Sequence, residues 1–122
     1  VPQLMRGDWT AKTGYEIGQG LPPDVTAVRC ANDETAFGLM RALREAGRDV
    51  PRDVSVVGFD DIGLAPYAAP PLTTVKQDFL RIGHDLVALI LAQMRGETRG
   101  PLDRIVLPTE LIVRESTAPP RA

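Results

Sequence analysis

Val54-Ser55-Val56-Val57-Gly58-Phe59-Asp60-Asp61 is a nearly unbroken apolar, β-branched run that ends in two carboxylates. A strand with so little polar alternation suits a parallel sheet covered on both faces. Upstream, Val25-Thr26-Ala27-Val28-Arg29-Cys30-Ala31 is a second β-branched stretch, entered from the turn Leu21-Pro22-Pro23-Asp24. Between the two strands, Asn32 and Asp33 offer N-caps and Glu34 places negative charge in the first helical turn. Ala36, Phe37, Met40, Leu43 and Ala46 then recur at helical spacing and form one apolar face. Gly47 ends the helix, with Pro51 beyond it. Strand, helix and strand with short connections make a βαβ unit.

Working outward, the pattern predicts a strand over 2–6 that leads through Gly7-Asp8-Trp9 into a short helix at about 10–19, punctuated by Gly14 and Gly18. Past Phe59, Asp60-Asp61-Ile62-Gly63 reads as a turn and 64–71 as a Pro- and Ala-rich loop. A short strand follows over 72–76, and Asp78 then caps a helix over about 79–95, closed by Gly96. Arg81, Asp85 and Arg95 share one side of that helix, while Leu80, Leu86, Val87, Ile90 and Met94 lie on the rest. So wide an apolar surface expects cover from more than one direction. Strands over 104–107 and 110–114, parted by Pro108, and a frayed tail from Ser116 complete the reading.

With 122 residues, 43% of them hydrophobic and 25% charged, the composition is that of one modest globular domain or a piece of a larger one. The chain opens Val1-Pro2-Gln3-Leu4-Met5, without an initiator Met or the features of a signal peptide, so it is expected to begin partway through a longer protein. No apolar run is long enough to span a bilayer. The net charge is −2 and the basic residues are scattered, which disfavours direct binding of nucleic acid. A lone Cys30 and a lone His84 can form neither a disulfide nor a Cys/His metal site. Cys30 reads as inert core and His84 as a solvated helix residue. Gly14, Gly18 and Gly20 do not have the spacing of a dinucleotide loop, and there is no phosphate loop. No cofactor and no metal are implied.

Ligands of open α/β sheets sit beyond the carboxyl ends of the strands. Asp8-Trp9, Asn32-Asp33, Asp60-Asp61 and Gln77-Asp78 all fall at such ends or at helix starts. Taken singly, Asn32 and Asp78 are ordinary helix caps, and Asp60 and Asp61 are ordinary turn residues. Taken together on one rim, an aromatic face beside fixed acceptors and donors suits the apolar and hydroxyl-bearing sides of a sugar or nucleoside. Asp60 and Asp61 as a catalytic pair is the weaker reading. Neighbours in an extended segment point to opposite sides, and no His or Lys stands near them as a partner. No catalytic residue is assigned, and a hydrolase or transferase working through Asp60 has no further support in the chain.

Five segments then become specific. In order, they are Gly7-Asp8-Trp9-Thr10, Ala31-Asn32-Asp33, Val54 through Asp61, Pro70-Pro71-Leu72-Thr73-Thr74-Val75-Lys76-Gln77-Asp78-Phe79, and Val113-Arg114-Glu115-Ser116-Thr117. Together they closely resemble the C-terminal part of the effector-binding domain of the lac repressor (LacI/GalR) family of bacterial transcription regulators. The likeness covers nearly the whole chain and is most specific in Val-Val-Gly-Phe-Asp-Asp and Pro-Pro-Leu-Thr-Thr-Val.

The resemblance implies an α/β fold of the periplasmic-binding-protein type (type I), a mostly parallel sheet flanked by helices and incomplete without an N-terminal lobe. Residues 1–76 and 109–117 would form the C-terminal lobe, 77–107 a crossing segment that packs on the other lobe, and 118–122 a disordered tail. Two such lobes close over a small-molecule effector, a sugar or purine-like metabolite, while a separate helix-turn-helix reads operator DNA. By resemblance, Trp9, Asn32, Asp60, Gln77 and Phe79 line the effector cleft. Trp9 and Phe79 would supply apolar faces, and Asn32, Asp60 and Gln77 hydrogen bonds. Phe37, Met40 and the loop near Ala68 would lie in the interface of a homodimer or higher homo-oligomer. The implied protein is a cytoplasmic regulator, not an enzyme and not bound to a membrane. The alternative is a periplasmic sugar-binding protein of a transporter, which shares the fold and would carry a signal peptide in place of a helix-turn-helix.

Overall fold

The computed structural model describes residues 4–97 and 104–120. Its elements run α1 (Ala11–Gln19), β1 (Ala27–Arg29), α2 (Asp33–Glu45), β2 (Ser55–Asp60), β3 (Thr73–Lys76), α3 (Phe79–Met94) and β4 (Glu110–Ile112), with a short 3-10 turn at Ala65–Tyr67. The sheet order is β1-β2-β3-β4. β1 pairs parallel with β2, Val28 opposite Val56, and β2 pairs parallel with β3, Gly58 opposite Thr74. The chain divides into two compact units, one reaching to Lys76 and resuming at Leu111, the other Gln77–Glu110.

In the first unit the apolar face of α2 lies on the sheet. Leu39 and Leu43 of α2 meet Val54, Val56 and Leu72, all of them fully buried. β2 alternates more than its sequence suggests: Val56 and Gly58 are buried, while Val57 and Phe59 are only half-buried. The guanidinium of Arg29 stands over the Phe59 ring on that second face, 5.6 Å from its centre.

The glycines of α1 are packing residues. A Cβ on Gly14 would come within 2.0 Å of the Thr35 carbonyl oxygen, and one on Gly38 within 1.8 Å of the Ala11 carbonyl oxygen. α1 and α2 therefore cross with their backbones almost touching. At the far end of the crossing, the Tyr15 hydroxyl donates to Glu45 at 2.5 Å, and Arg41 reaches Glu45 at 2.9 Å while covering the Tyr15 ring.

Several expectations need correction. Residues 4–6 of the strand expected over 2–6 form no strand, and Pro2 and Gln3 lie outside the described residues. Residues 104–107 are likewise not a strand. Among the described residues neither stretch has a neighbouring strand to supply a ladder, and β propensity alone does not hold a strand in water. The strand expected over 110–114 stops at Ile112 because the Arg114 amide donates to the Thr73 hydroxyl instead, at 2.9 Å.

The expected frayed tail is also fastened where it begins. Ser116 is fully buried; its hydroxyl donates to the Val56 carbonyl at 2.6 Å and accepts from the Thr73 amide at 2.8 Å. The Val56 amide donates to the Ser116 carbonyl at 2.8 Å. Ala118 exchanges hydrogen bonds with the Ser55 hydroxyl at 3.1 Å. The segment supplies partners to buried backbone groups of β2 and β3 that would otherwise have none.

The crossing of α1 on α2 gives a direct test. Gly38→Ala drives a methyl group into backbone that cannot yield, and should lower unfolding free energy by about 1–3 kcal/mol. Gly63→Ala enters open space and should stay within about 0.5 kcal/mol of the unaltered protein. Urea denaturation followed by circular dichroism checks both; equal stabilities would refute the close crossing.

Candidate functional site

Because β1, β2 and β3 are parallel, their carboxyl ends share one edge of the sheet. Asn32 follows β1 there as the N-cap of α2, its Oδ1 accepting from the Thr35 amide at 3.0 Å. Its Nδ2 donates to the backbone carbonyl of Trp9 at 2.9 Å. Trp9 has φ 71°, a left-handed conformation that bulky residues rarely adopt. Asp8 braces the same turn. Its Oδ1 accepts from the amide and hydroxyl of Thr10, at 3.1 and 2.7 Å, and from the Thr13 hydroxyl. Those bonds, the Thr13 hydroxyl foremost, hold the Asp8 carboxyl down to about 2, so the turn keeps its anion well into acid. The outcome is an indole 63% exposed on a backbone fixed from both sides.

Asp60 ends β2 with φ 109° and Asp61 follows with φ 55°. The two carboxylates do not act as a pair. Asp61 takes the Arg114 guanidinium at 2.7 Å, and the same guanidinium donates to the Leu72 carbonyl at 2.8 Å. The next amide, Ile62, donates to Asp33 Oδ2 at 2.9 Å. Asp60 is thus a half-buried residue in a turn whose following residues are both anchored.

Asp33 was expected to share the capping of α2 with Asn32. Instead it is fully buried, accepting from the Thr74 hydroxyl at 2.5 Å as well as from Ile62. It lies against Gly58, where a Cβ would come within 2.1 Å of its Oδ1. Sequence reasoning put Asp33 on the rim as a helix-start residue but not as a buried acceptor, and it missed Arg114. The signals were a glycine interrupting an apolar strand and an arginine ending one.

Gln77 and Phe79 belong to the second unit. Gln77 is half-buried and its carbonyl accepts from the Phe79 amide at 3.2 Å; Phe79 opens α3 with its ring 54% exposed. Asp78 caps that helix, accepting from the Arg81 amide at 2.9 Å. None of the residues of α3 is buried, and Leu80, Val87 and Met94 stand out from it.

Two hollows mark the first unit. The larger, about 720 Å³, is lined by β1 with Met5, Trp9, Ile17 and Thr35 among its other residues. The Thr35 hydroxyl oxygen is buried and has no hydrogen-bond partner. The smaller, about 280 Å³, brings Phe37, Met40 and Ala68 together with Arg41, Arg44 and Tyr67. Elsewhere Cys30 is buried, and burial pushes its thiol up to about 12, so it is not a nucleophile at neutral pH. Among the described residues no cluster of His, Cys, Asp and Glu could hold a metal ion, and no helix is long and apolar enough to cross a membrane.

Parallel strands with a polar rim at their carboxyl ends define a ligand-binding α/β lobe. The family model of the periplasmic binding protein-like domain matches residues 3–117. The transcriptional regulator CelR of Thermobifida fusca is 42% identical over 113 residues, 90% of this chain and 33% of that protein. Three solved structures share the fold at TM-scores of 0.82 to 0.88. One is a CelR–cellobiose complex, 42% identical, covering 90% of this chain and 34% of that one, at TM-score 0.85. Another is a LacI family regulator of Enterococcus faecalis V583 with bound ribose, 35% identical, covering 98% and 45%, at 0.88. The third is a lac repressor dimer bound to operator and the anti-inducer ONPF, 39% identical, covering 91% and 39%, at 0.82. The chain belongs to the periplasmic-binding-protein-like domain family, in the form carried by LacI-type regulators. It spans about a third of the length of the CelR protein it matches.

Removing the Asn32 amide should release both of its tethers. Asn32→Ala is expected to lower stability by about 0.5–2 kcal/mol through loss of the cap. It should also change the emission of Trp9, the only tryptophan. Fluorescence with acrylamide quenching reads the second effect; an unchanged spectrum would show that Asn32 does not hold the Trp9 turn.

Proposed function

We propose that this chain is the effector-sensing and dimerising part of a LacI-type transcription regulator, and that its effector is a sugar. The observation that carries the reading is the Asn32 amide tying the exposed Trp9 platform to the start of α2, on the edge where Asp60 ends β2. A flat aromatic face beside oriented amide and carboxylate groups suits the two sides of a pyranose. On the resemblance to the family, Gln77 and Phe79 are further contacts of the effector, the first as a hydrogen-bonding group and the second as an apolar face. The sugars named with relatives of this chain, cellobiose and ribose, support the class.

In this reading 1–76 and 109–117 form the C-terminal lobe, and 77–107 crosses to pack on an N-terminal lobe. That role accounts for the apolar exposure of α3, whose side chains have no cover within their own unit. Operator DNA is read by a separate helix-turn-helix, which places the protein in the cytoplasm. In this reading the site binds without turnover, which the named relatives support by being transcription regulators. The homodimer contact is the hollow formed by Phe37, Met40 and Ala68; that a relative, the lac repressor, forms a dimer supports dimerisation as such. Effector binding shifts the lobes only to the extent that it prefers one arrangement over the other. The named relatives are transcription regulators, which favours this reading over a transport receptor.

The test is Asp60→Asn in the protein that carries this chain. A carboxylate accepting from sugar hydroxyls is worth about 1.5–3 kcal/mol, so effector affinity should fall by roughly tenfold or more while basal operator binding stays intact. Wild-type inducibility in a reporter assay would remove Asp60 from the site. The dimer contact is tested separately. Phe37→Arg sets a third cation beside Arg41 and Arg44, and sedimentation should show a monomer with unchanged helix content; a persisting dimer would place the interface elsewhere.

A further inference from the structure

Asp33 carries an inference that the effector reading does not contain. Its side chain is fully buried, and its partners are neutral: the Thr74 hydroxyl on Oδ1 and the Ile62 amide on Oδ2. Among the described residues no cation pairs with it. A carboxylate in that setting is expensive, and an apolar side chain of similar size would be cheaper if stability were all that mattered. Its distinguishing property is that it offers acceptors in two directions at once. One is spent on β3, through Thr74. The other holds Ile62, two residues after Asp60. β2 makes room for the carboxylate by having Gly58 there.

The Ile62 anchor bears on the residues just before it. Asp60 and Asp61 both have positive φ, a region that residues with a Cβ rarely occupy and that persists only when the surroundings hold it. Two tethers are present after Asp60: Asp61 to Arg114, and Ile62 to Asp33. The first fixes the turn to the C-terminal segment. The second fixes it to the helix that carries Asn32, and so to the Trp9 turn through the Asn32 amide. One buried carboxylate therefore sets the position of Asp60 relative to Asn32.

We infer that Asp33 is a positioning residue of the rim, fixing Asp60 in reach of a ligand that Asp33 itself never touches. The inference rests on the proposed effector site for its consequence, though not for its geometry. Asn at this position can still accept from Ile62 with its oxygen and donate to Thr74 with its nitrogen, since a hydroxyl can take either role. Ala can do neither.

The experiment uses the protein that carries this chain, as Asp33→Ala, Asp33→Asn and Thr74→Val, the last removing only the β3 limb. Hydrogen-exchange mass spectrometry on peptides spanning 59–64 reads the turn, and urea denaturation reads global stability. Calorimetry with cellobiose, ribose and lactose reads binding. Positioning predicts exchange in 59–64 faster by about tenfold in Asp33→Ala than the global stability change explains, with near-complete rescue in Asp33→Asn. Sugar affinity should follow the same order, with Thr74→Val between the two. If Asp33→Ala does not fold, the comparison of Thr74→Val with Asp33→Asn decides. Unchanged exchange and affinity in Thr74→Val would then overturn the inference, as would Asp33→Ala exchange that merely tracks global stability. Should none of the sugars bind while the exchange pattern holds, the effector reading fails and the positioning stands. Should Asp60→Asn abolish sugar binding while Asp33→Ala leaves it intact, the positioning fails and the effector reading stands.

Discussion

A carboxylate removed from water must find its hydrogen bonds inside the protein, and Asp33 finds them on two different segments. Much of the upper edge of the sheet is arranged around that requirement. Gly58 lacks a side chain because the Asp33 oxygen occupies the space a Cβ would need. Thr74 stands opposite Gly58 in the parallel register of β2 and β3, which brings its hydroxyl to the same oxygen. α2 must therefore enter the sheet at one height and one angle, and the residue before Asp33, Asn32, is delivered to the rim as a consequence. Close packing against α1 restricts the helix, and the hydrogen bonds of Asp33 add a directional constraint to it.

The same economy of space operates on the other side of α2. Gly14 and Gly38 let α1 approach until backbones meet, and α1 starts directly after the Trp9 turn. The Trp9 indole is held out toward solvent by a chain of constraints that begins in the core: Asp33 seats α2, Asn32 caps it and takes the Trp9 carbonyl, and Asp8 braces the turn from below. Local strain at Trp9 and Asp60 is thus supported by contacts on both sides, the usual condition for unfavourable backbone angles to survive.

How much of this could be read from residues alone depends on the range of the interaction. The βαβ core was legible because β-branched runs and helical spacing are local, and the strand ends carrying Asn32 and Asp60 were placed correctly for the same reason. The rule that ligands sit beyond the carboxyl ends of the strands put Trp9 on the same rim, and the resemblance added the apolar role expected of its ring. Three features escaped. Asp33 looked like a cap because nothing local distinguishes a carboxylate at a helix start that faces solvent from one that faces a glycine of the next strand. Ser116 looked like part of a frayed tail because its partners, Val56 and Thr73, are distant in sequence. The segments 4–6 and 104–107 looked like strands because propensity does not report whether a neighbour exists to pair with.

The α3 helix is built on a different kind of contact. α3 offers instead broad, exposed aliphatic surface, Leu80, Val87, Ile90 and Met94 among it, with its one charged cluster of Arg81, His84 and Asp85 formed locally on the helix itself. Aliphatic contact is non-directional and changes little in energy over small sliding motions, whereas hydrogen-bonded charge does not slide. The chain thus divides its chemistry: directional bonds fix the rim of the first unit, and undirected apolar surface lies on the second.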